Sequence, residues 1–243
     1  MYEQLEADGS ASAGAWLYVA EQVHRIGNEY ASAIATLRLA AARTSSDEAR
    51  AVVLGATRRL SAYAATQNLL KPPAVVGQVD LADHVVQLCG TIALARFEDL
   101  PIGLSVRTAQ PVLLDATRCW RAGLVVSELI TNAARHAFAA DSRRGEIAVG
   151  VVLAHGQVTC EVSDTGAWAA KGGPGLGSAL VLSLAADLGG QVIRRSNASG
   201  TSVKLMFPER STAHLRAART AGRRAALRLH PGVSAAGLIA REA

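Results

Sequence analysis

Residues 127–136, Ser-Glu-Leu-Ile-Thr-Asn-Ala-Ala-Arg-His, put a carboxylate, an amide and a guanidinium at Glu128, Asn132 and Arg135. Steps of four and three place all three on one face of a helix. A carboxylate and an amide oxygen are hard ligands that suit Mg²⁺ when phosphates and water complete its shell. The plain alternative is a solvated helix face. Residues 162–166, Val-Ser-Asp-Thr-Gly, end an expected inner strand. There Asp164 could accept a hydrogen bond from an exocyclic amine, and Gly166 would let a planar ring approach the backbone. A simple turn would use the same residues. Residues 171–178, Lys-Gly-Gly-Pro-Gly-Leu-Gly-Ser, stand directly before a helix, where free N–H groups and the positive helix end cradle phosphates. Gly200-Thr201 opens the last strand. Each motif is common alone; the four in this order point to a nucleotide site.

A second chemical group lies near the N-terminus. His24 sits in Glu21-Gln-Val-His-Arg-Ile-Gly-Asn-Glu29. An imidazole with one unprotonated nitrogen is a competent phosphoryl acceptor near neutral pH. Asn28, one helical turn later, could orient the ring or a hydrolytic water. Outside a nucleotide context, His24 would read as a flanking surface residue.

The elements that must position these groups follow from periodicity. From about 13 to 43 the small and apolar residues Trp16, Ala20, Val23, Gly27, Tyr30, Ile34, Leu37 and Ala41 alternate steps of four and three, the seam of a lengthwise-packing helix. Ser45 with Glu48 reads as a capping box that starts a second helix. Its seam is Ala49, Val53, Ala56, Leu60, Tyr63, Gln67 and Leu70, and Lys71-Pro72-Pro73 stops it. The two helices make an antiparallel hairpin over 13–73 with too little core to stand alone, so a dimeric four-helix bundle is the simple solution. After a linker at 74–78, a second domain is expected over 79–208. Its elements are a helix capped by Asp80 and running to about 94, short strands at 102–106 and 112–114, and an apolar helix at 118–138. Hairpin strands follow at 146–153 and 157–162, then a helix after Gly177 and a second hairpin at 191–195 and 201–207. Helices mixed with antiparallel strands give an α+β fold, one sheet covered by helices on one face.

Composition bounds the rest. Half of the 243 residues are hydrophobic but only 4% are aromatic, which favours closely packed helical seams. No apolar run approaches the roughly 18 residues of a membrane span, and the polar, acidic N-terminus is no secretory signal. Cys89, Cys119 and Cys160 have neither metal nor disulfide spacing and are expected as small buried residues in a reducing cytoplasm. The net charge of +5 is concentrated in the Ala/Arg-rich tail, 209–243, which carries seven arginines against Glu209 and Glu242. The body is therefore not a basic nucleic-acid surface.

The four motifs together resemble the boxes of the GHKL (Bergerat-fold) ATPases and histidine kinases. Ser127–Phe138 is similar to the N box, 162–166 to the G1 box, 173–178 to the G2 box, and 200–208 to the closing Gly-Thr strand. The resemblance implies ATP with Mg²⁺ as cofactors. Asn132 would coordinate the metal and Asp164 would recognise the adenine amine. Gly175 and Gly177, with Leu176 between them, would contact phosphates. Glu128, Arg135 and His136 would line the metal-phosphate side, with Gly166 and Thr201 at the adenine end. Trp168 stands where the family usually has a second G1 glycine, and the lid, 167–174, is short. His24-Arg-x-x-Asn28 resembles the H box of the HRxxN histidine kinases, the HWE and related group, although no Trp-x-Glu follows the G1 box. That likeness implies autophosphorylation of His24 and transfer to a response-regulator receiver domain, with the hairpin as a homodimer interface. The alternatives are a phosphotransfer or scaffold protein with a degenerate ATP domain, and a serine kinase of the anti-sigma type.

Overall fold

The computed structural model describes residues 25–74, 76–137, 144–166, 176–197 and 199–210. Residues 25–43 form helix α1, whose least exposed positions are Gly27, Tyr30, Ile34, Leu37 and Ala41, the later part of the seam read from spacing; Trp16, Ala20 and Val23 lie outside the described residues. Helix α2, Asp47–Leu69, returns beside it. The cap is Ser46, whose side chain accepts from the Ala49 N–H, and not Ser45. The shift follows from Arg50, which ties the connection together: it bonds the carbonyls of Ala41 and Thr44 and pairs with Asp47 at 2.8 Å. One guanidinium thus satisfies carbonyls left over at the end of α1.

The α2 seam differs from expectation in a second way. Ala49 and Gln67 are exposed, and the buried residues are Thr57, Ala62 and Thr66. The cause is a second partner, because α2 also packs on helix α3, Leu81–Ile92, and on the π-helical turn Ala93–Phe97 that extends it. Thr57 and Thr66 tolerate burial by returning their hydroxyls to the carbonyls of Val53 and Ala62. Arg58 meets Glu98 at 3.2 Å, Arg59 pairs with Asp99, and the Arg96 guanidinium lies 5.9 Å from the Tyr63 ring centre.

Residue 78, expected to end the linker, opens strand β1, Gln78–Asp80. It pairs antiparallel with β3, Leu113–Asp115, in a two-stranded sheet. Asp80 caps α3 as expected, and the same carboxylate oxygen holds the Val112 N–H at 2.9 Å. The main sheet has the order β2-β4-β5-β7-β6, with strands β2 Ile102–Thr108, β4 Gly145–Ala154, β5 Gln157–Asp164, β6 Gln191–Asn197 and β7 Gly200–Pro208. Its strands are antiparallel except that β2 runs parallel to β4, a pairing that no local pattern signals. A long crossover through β3 and helix α4, Ala116–Ala137, makes that parallel pairing possible.

The core lies between one sheet face and the helices. Ile147, Val149 and Val151 of β4, Val158, Cys160 and Val162 of β5, and Leu205 and Phe207 of β7 are buried at alternate positions. They meet Val125, Val126, Leu129 and Ile130 of α4 and Val181, Leu184 and Ala185 of helix α5, Leu176–Asp187. All three cysteines are buried, and burial pushes each thiol up to about 12.

Candidate functional site

Strand β5 aims inward every second residue, and its last inward position is not apolar but Asp164, 8% exposed. It stands in register between Ile147 of β4 and Thr201 of β7. Placing a carboxylate where the pattern calls for a valine costs solvation, and burial raises its pKa above the ordinary Asp value. The opposing influences are weaker: backbone N–H groups of Gly166 and Thr201, and the charge of Arg194. The Gly166 bond is 3.0 Å to Oδ1 and closes a tight turn. An acceptor built into a core position at a strand end suits a ligand amine.

The surrounding backbone is fixed by contacts that the sequence did not reveal. Gly200 has φ +140, and a Cβ there would lie 1.8 Å from the Asp164 carbonyl oxygen, so β7 enters directly on the backbone of the Asp164 turn. Thr201 is buried, and its hydroxyl lies 3.2 Å from that of Ser196. Thr165 locks the other side: its hydroxyl accepts from the Glu146 N–H and its own N–H donates to the Glu146 carbonyl. Arg194 is a missed neighbour, whose only sequence signal is its place on the edge strand β6.

Helix α4 presents Glu128 and Asn132 half-buried and Arg135 exposed, along the flank of its apolar stripe. Glu128 meets the start of α5. A Cβ on Gly177 would lie 1.9 Å from Glu128 Oε1 and 2.8 Å from Cδ, so only glycine leaves the carboxylate where it is. Arg121 near the start of α4 approaches Asp187 at the end of α5 at 3.7 Å. The two helices therefore run antiparallel, and the positive end of α5 faces the polar stripe of α4. The structure thus brings Glu128 to Gly177 and Asp164 to Gly166 and Thr201. Residues 167–175 join these two clusters, and Gly175 and Trp168 in that stretch lie outside the described residues, as does His24. His136 belongs to α4 and Leu176 opens α5, but their side chains also lie outside the described residues. Asn28 is an exposed residue of α1.

These residues fit a metal-nucleotide. The cradle at Gly177 and the hard oxygens of Glu128 and Asn132 suit Mg²⁺ held largely by phosphates and water. Among the described residues, no three His, Cys, Asp or Glu side chains converge into a metal cluster of their own. Trp120, which has no motif context, donates its indole N–H to the Leu70 carbonyl at 2.9 Å, bonding α4 to the end of α2.

Comparison with known proteins bears on the fold. Residues 21–95 match the family described as "Histidine kinase", and residues 103–207 match "Histidine kinase-like ATPase domain". Among curated proteins, sensor histidine kinase PdtaS of Mycolicibacterium smegmatis is 32% identical over 129 residues, 52% of this chain and 25% of that protein. PdtaS of Mycobacterium tuberculosis is 29% identical over 192 residues, 76% of this chain and 38% of that protein. The chain thus spans well under half the length of these relatives. The histidine kinase domain of the Erythrobacter litoralis EL346 blue-light activated histidine kinase shares the fold with a TM-score of 0.52 and 22% identity. That similarity covers 74% of this chain and 95% of the solved one. Among the described residues no helix is long and apolar enough to cross a membrane. Residues 21–95 and 103–207 are thus similar, in that order, to a histidine-kinase region and a histidine kinase-like ATPase domain, and the fold is that of histidine-kinase catalytic structures.

Proposed function

We propose that the chain is an ATP-dependent protein-histidine kinase that phosphorylates its own His24 and passes the phosphoryl group to an aspartate of a response-regulator receiver in the cytoplasm. The observation that carries this reading is the contact of Gly177 with Glu128, which sets a helix N-terminus against a carboxylate-amide stripe. In this reading Asp164 accepts from the adenine amine, with Gly166 and Thr201 bordering the ring. Backbone N–H groups of 175–177 hold phosphates, and Arg135 and His136 lie on the same side. Asn132, with Glu128 beside it, would hold Mg²⁺, which when bound neutralises phosphate charge.

The unprotonated nitrogen of His24 attacks the γ-phosphorus, and the bond from that phosphorus to the bridging oxygen breaks. Its electron pair leaves on ADP. The proton on the other ring nitrogen passes to a carboxylate, Glu21 or Glu29, or to water. Asn28, one turn on, orients the imidazole. The protein's part is positioning and charge neutralisation, with no further covalent step. Pairing of two hairpins into a four-helix bundle is supported by the outward Leu39 and Val52, 57% and 69% exposed.

Incubation with γ-labelled ATP tests the reading. His24→Gln and Asn132→Ala both abolish labelling, and only Asn132→Ala strongly weakens Mg·ATP binding. Undiminished label on the His24→Gln variant would refute the assigned acceptor.

A further inference from the structure

The cavity between α1 and the end of α2, about 250 Å³, has no part in the nucleotide site. Its polar lining is Asn28, Gln67, Asn68 and Lys71, with Gly27 on its α1 wall. Lys71 is the last residue before two prolines, and its N–H closes the final turn of α2 on the Asn68 carbonyl at 3.3 Å. A cation at a helix C-terminus often serves that helix's own carbonyls. Here the ammonium crosses instead to α1: a Cβ on Gly27 would lie 3.7 Å from Lys71 Nζ. No carboxylate pairs with Lys71 among the described residues. The preceding residue, Leu70, is held by Trp120 of the ATPase domain, so the lysine's backbone is pinned where the two parts of the chain meet.

Gly27 and Asn28 stand three and four residues after His24, the spacing of neighbours along one helical face. An ammonium that no carboxylate among the described residues pairs, lining one cavity with three amide side chains, is a donor-rich site suited to a tetrahedral oxyanion. We propose that Lys71 is the cation that contacts the phosphoryl group at His24, during its arrival from ATP and afterwards on the imidazole. This inference rests on His24 being the acceptor. Lys71 forms and breaks no bond. It meets the non-bridging oxygens of the phosphoryl group while the bond changes occur at the imidazole nitrogen and the bridging oxygen.

The test uses the full chain with γ-labelled ATP and the variants Lys71→Gln, Lys71→Arg and His24→Gln. Loss of one electrostatic donor at a partly exposed site lowers the labelling rate about 10- to 100-fold in Lys71→Gln. Lys71→Arg, keeping the charge, stays within about 3-fold of wild type. Mg·ATP affinity is the same in all of them. Labelling confined to His24 but equally fast in Lys71→Gln and wild type overturns this inference alone. So does Lys71→Arg labelling as slowly as Lys71→Gln, or a loss of Mg·ATP affinity on either substitution, since each makes the role structural. Label that persists in His24→Gln overturns the acceptor reading and this inference together.

Discussion

Gly177→Ala separates the fold from the chemistry. The added methyl carbon would lie 1.9 Å from Glu128 Oε1, 2.8 Å from Cδ and 3.4 Å from Cγ, and all three nearest atoms belong to that one side chain. Van der Waals contact requires the carboxylate to withdraw by about 1.5 Å, which a flexible Glu does by rotation. Rotation away from a preferred rotamer costs about 0.5–1.5 kcal/mol. Alanine in place of glycine in a helix returns about 0.5–1 kcal/mol. The two nearly cancel, so the melting temperature stays close to that of wild type. The N–H of residue 177 is kept, so the phosphate contact proposed for it is kept too. Activity behaves differently, because a displacement of about 1 Å at a phosphoryl-transfer site costs on the order of 100-fold. The assay is a double-mutant cycle of initial labelling rates with γ-labelled ATP. Gly177→Ala slows wild type about 100-fold but adds almost nothing to Glu128→Ala, where the clash is absent, giving a coupling of about 2.7 kcal/mol. Additive losses in the two backgrounds, or an unfolded Gly177→Ala chain, would refute the claim that this glycine exists to seat Glu128.

Other expected outcomes follow from neighbouring contacts. Gly200→Ala has no such escape, because its Cβ would strike backbone at φ +140; denaturant unfolding should show a loss of about 2–4 kcal/mol. Asp164→Asn should abolish ATP binding in a nucleotide titration without lowering the melting temperature of the nucleotide-free protein. The sign follows from the raised carboxyl pKa: the folded state holds that proton more tightly than the unfolded, so ionisation at neutral pH opposes folding and its removal does no harm. His84, facing Gly123, has its pKa lowered by burial against the opposing charge of Asp83. The unfolded chain therefore takes up a proton that the folded one refuses, and stability falls as pH drops below 6.5, the ordinary imidazole value. A urea series in His84→Gln should show less of that acid sensitivity. The three thiols, pushed up to about 12 by burial, should react with a thiol reagent at pH 8 only after denaturant is added.

The local signals were legible in the sequence wherever a residue's neighbours lie within one helical turn or one strand. The α1 seam, the Asp80 cap, the polar stripe of α4 and the inward reading of 157–162 are of that kind. Contacts between distant segments were not. β1 has three residues and acquires strand geometry only because β3 pairs with it. The parallel register of β2 and β4 depends on a crossover that no local pattern encodes. Thr57 and Thr66 are buried because α3 covers a face of α2 that its own periodicity leaves polar. Within the site, Asp164 and Gly177 were recognisable by type, but their closest constraints, Gly200 under the Asp164 turn and Glu128 against Gly177, arise from tertiary approach. Trp120 offered no motif at all, and its bond to Leu70 is one of the contacts that tie α4 to the end of α2.

The resting place of the terminal phosphate of ATP decides whether His24 is the acceptor. After incubation with ATP and proteolysis at neutral pH, mass spectrometry of the chain should find the phosphoryl group on the peptide containing residue 24. That group should survive alkali and be lost in mild acid, as a phosphorus–nitrogen bond requires. An acid-stable phosphate on a serine or threonine, or none on that peptide while nucleotide is bound, would contradict that assignment.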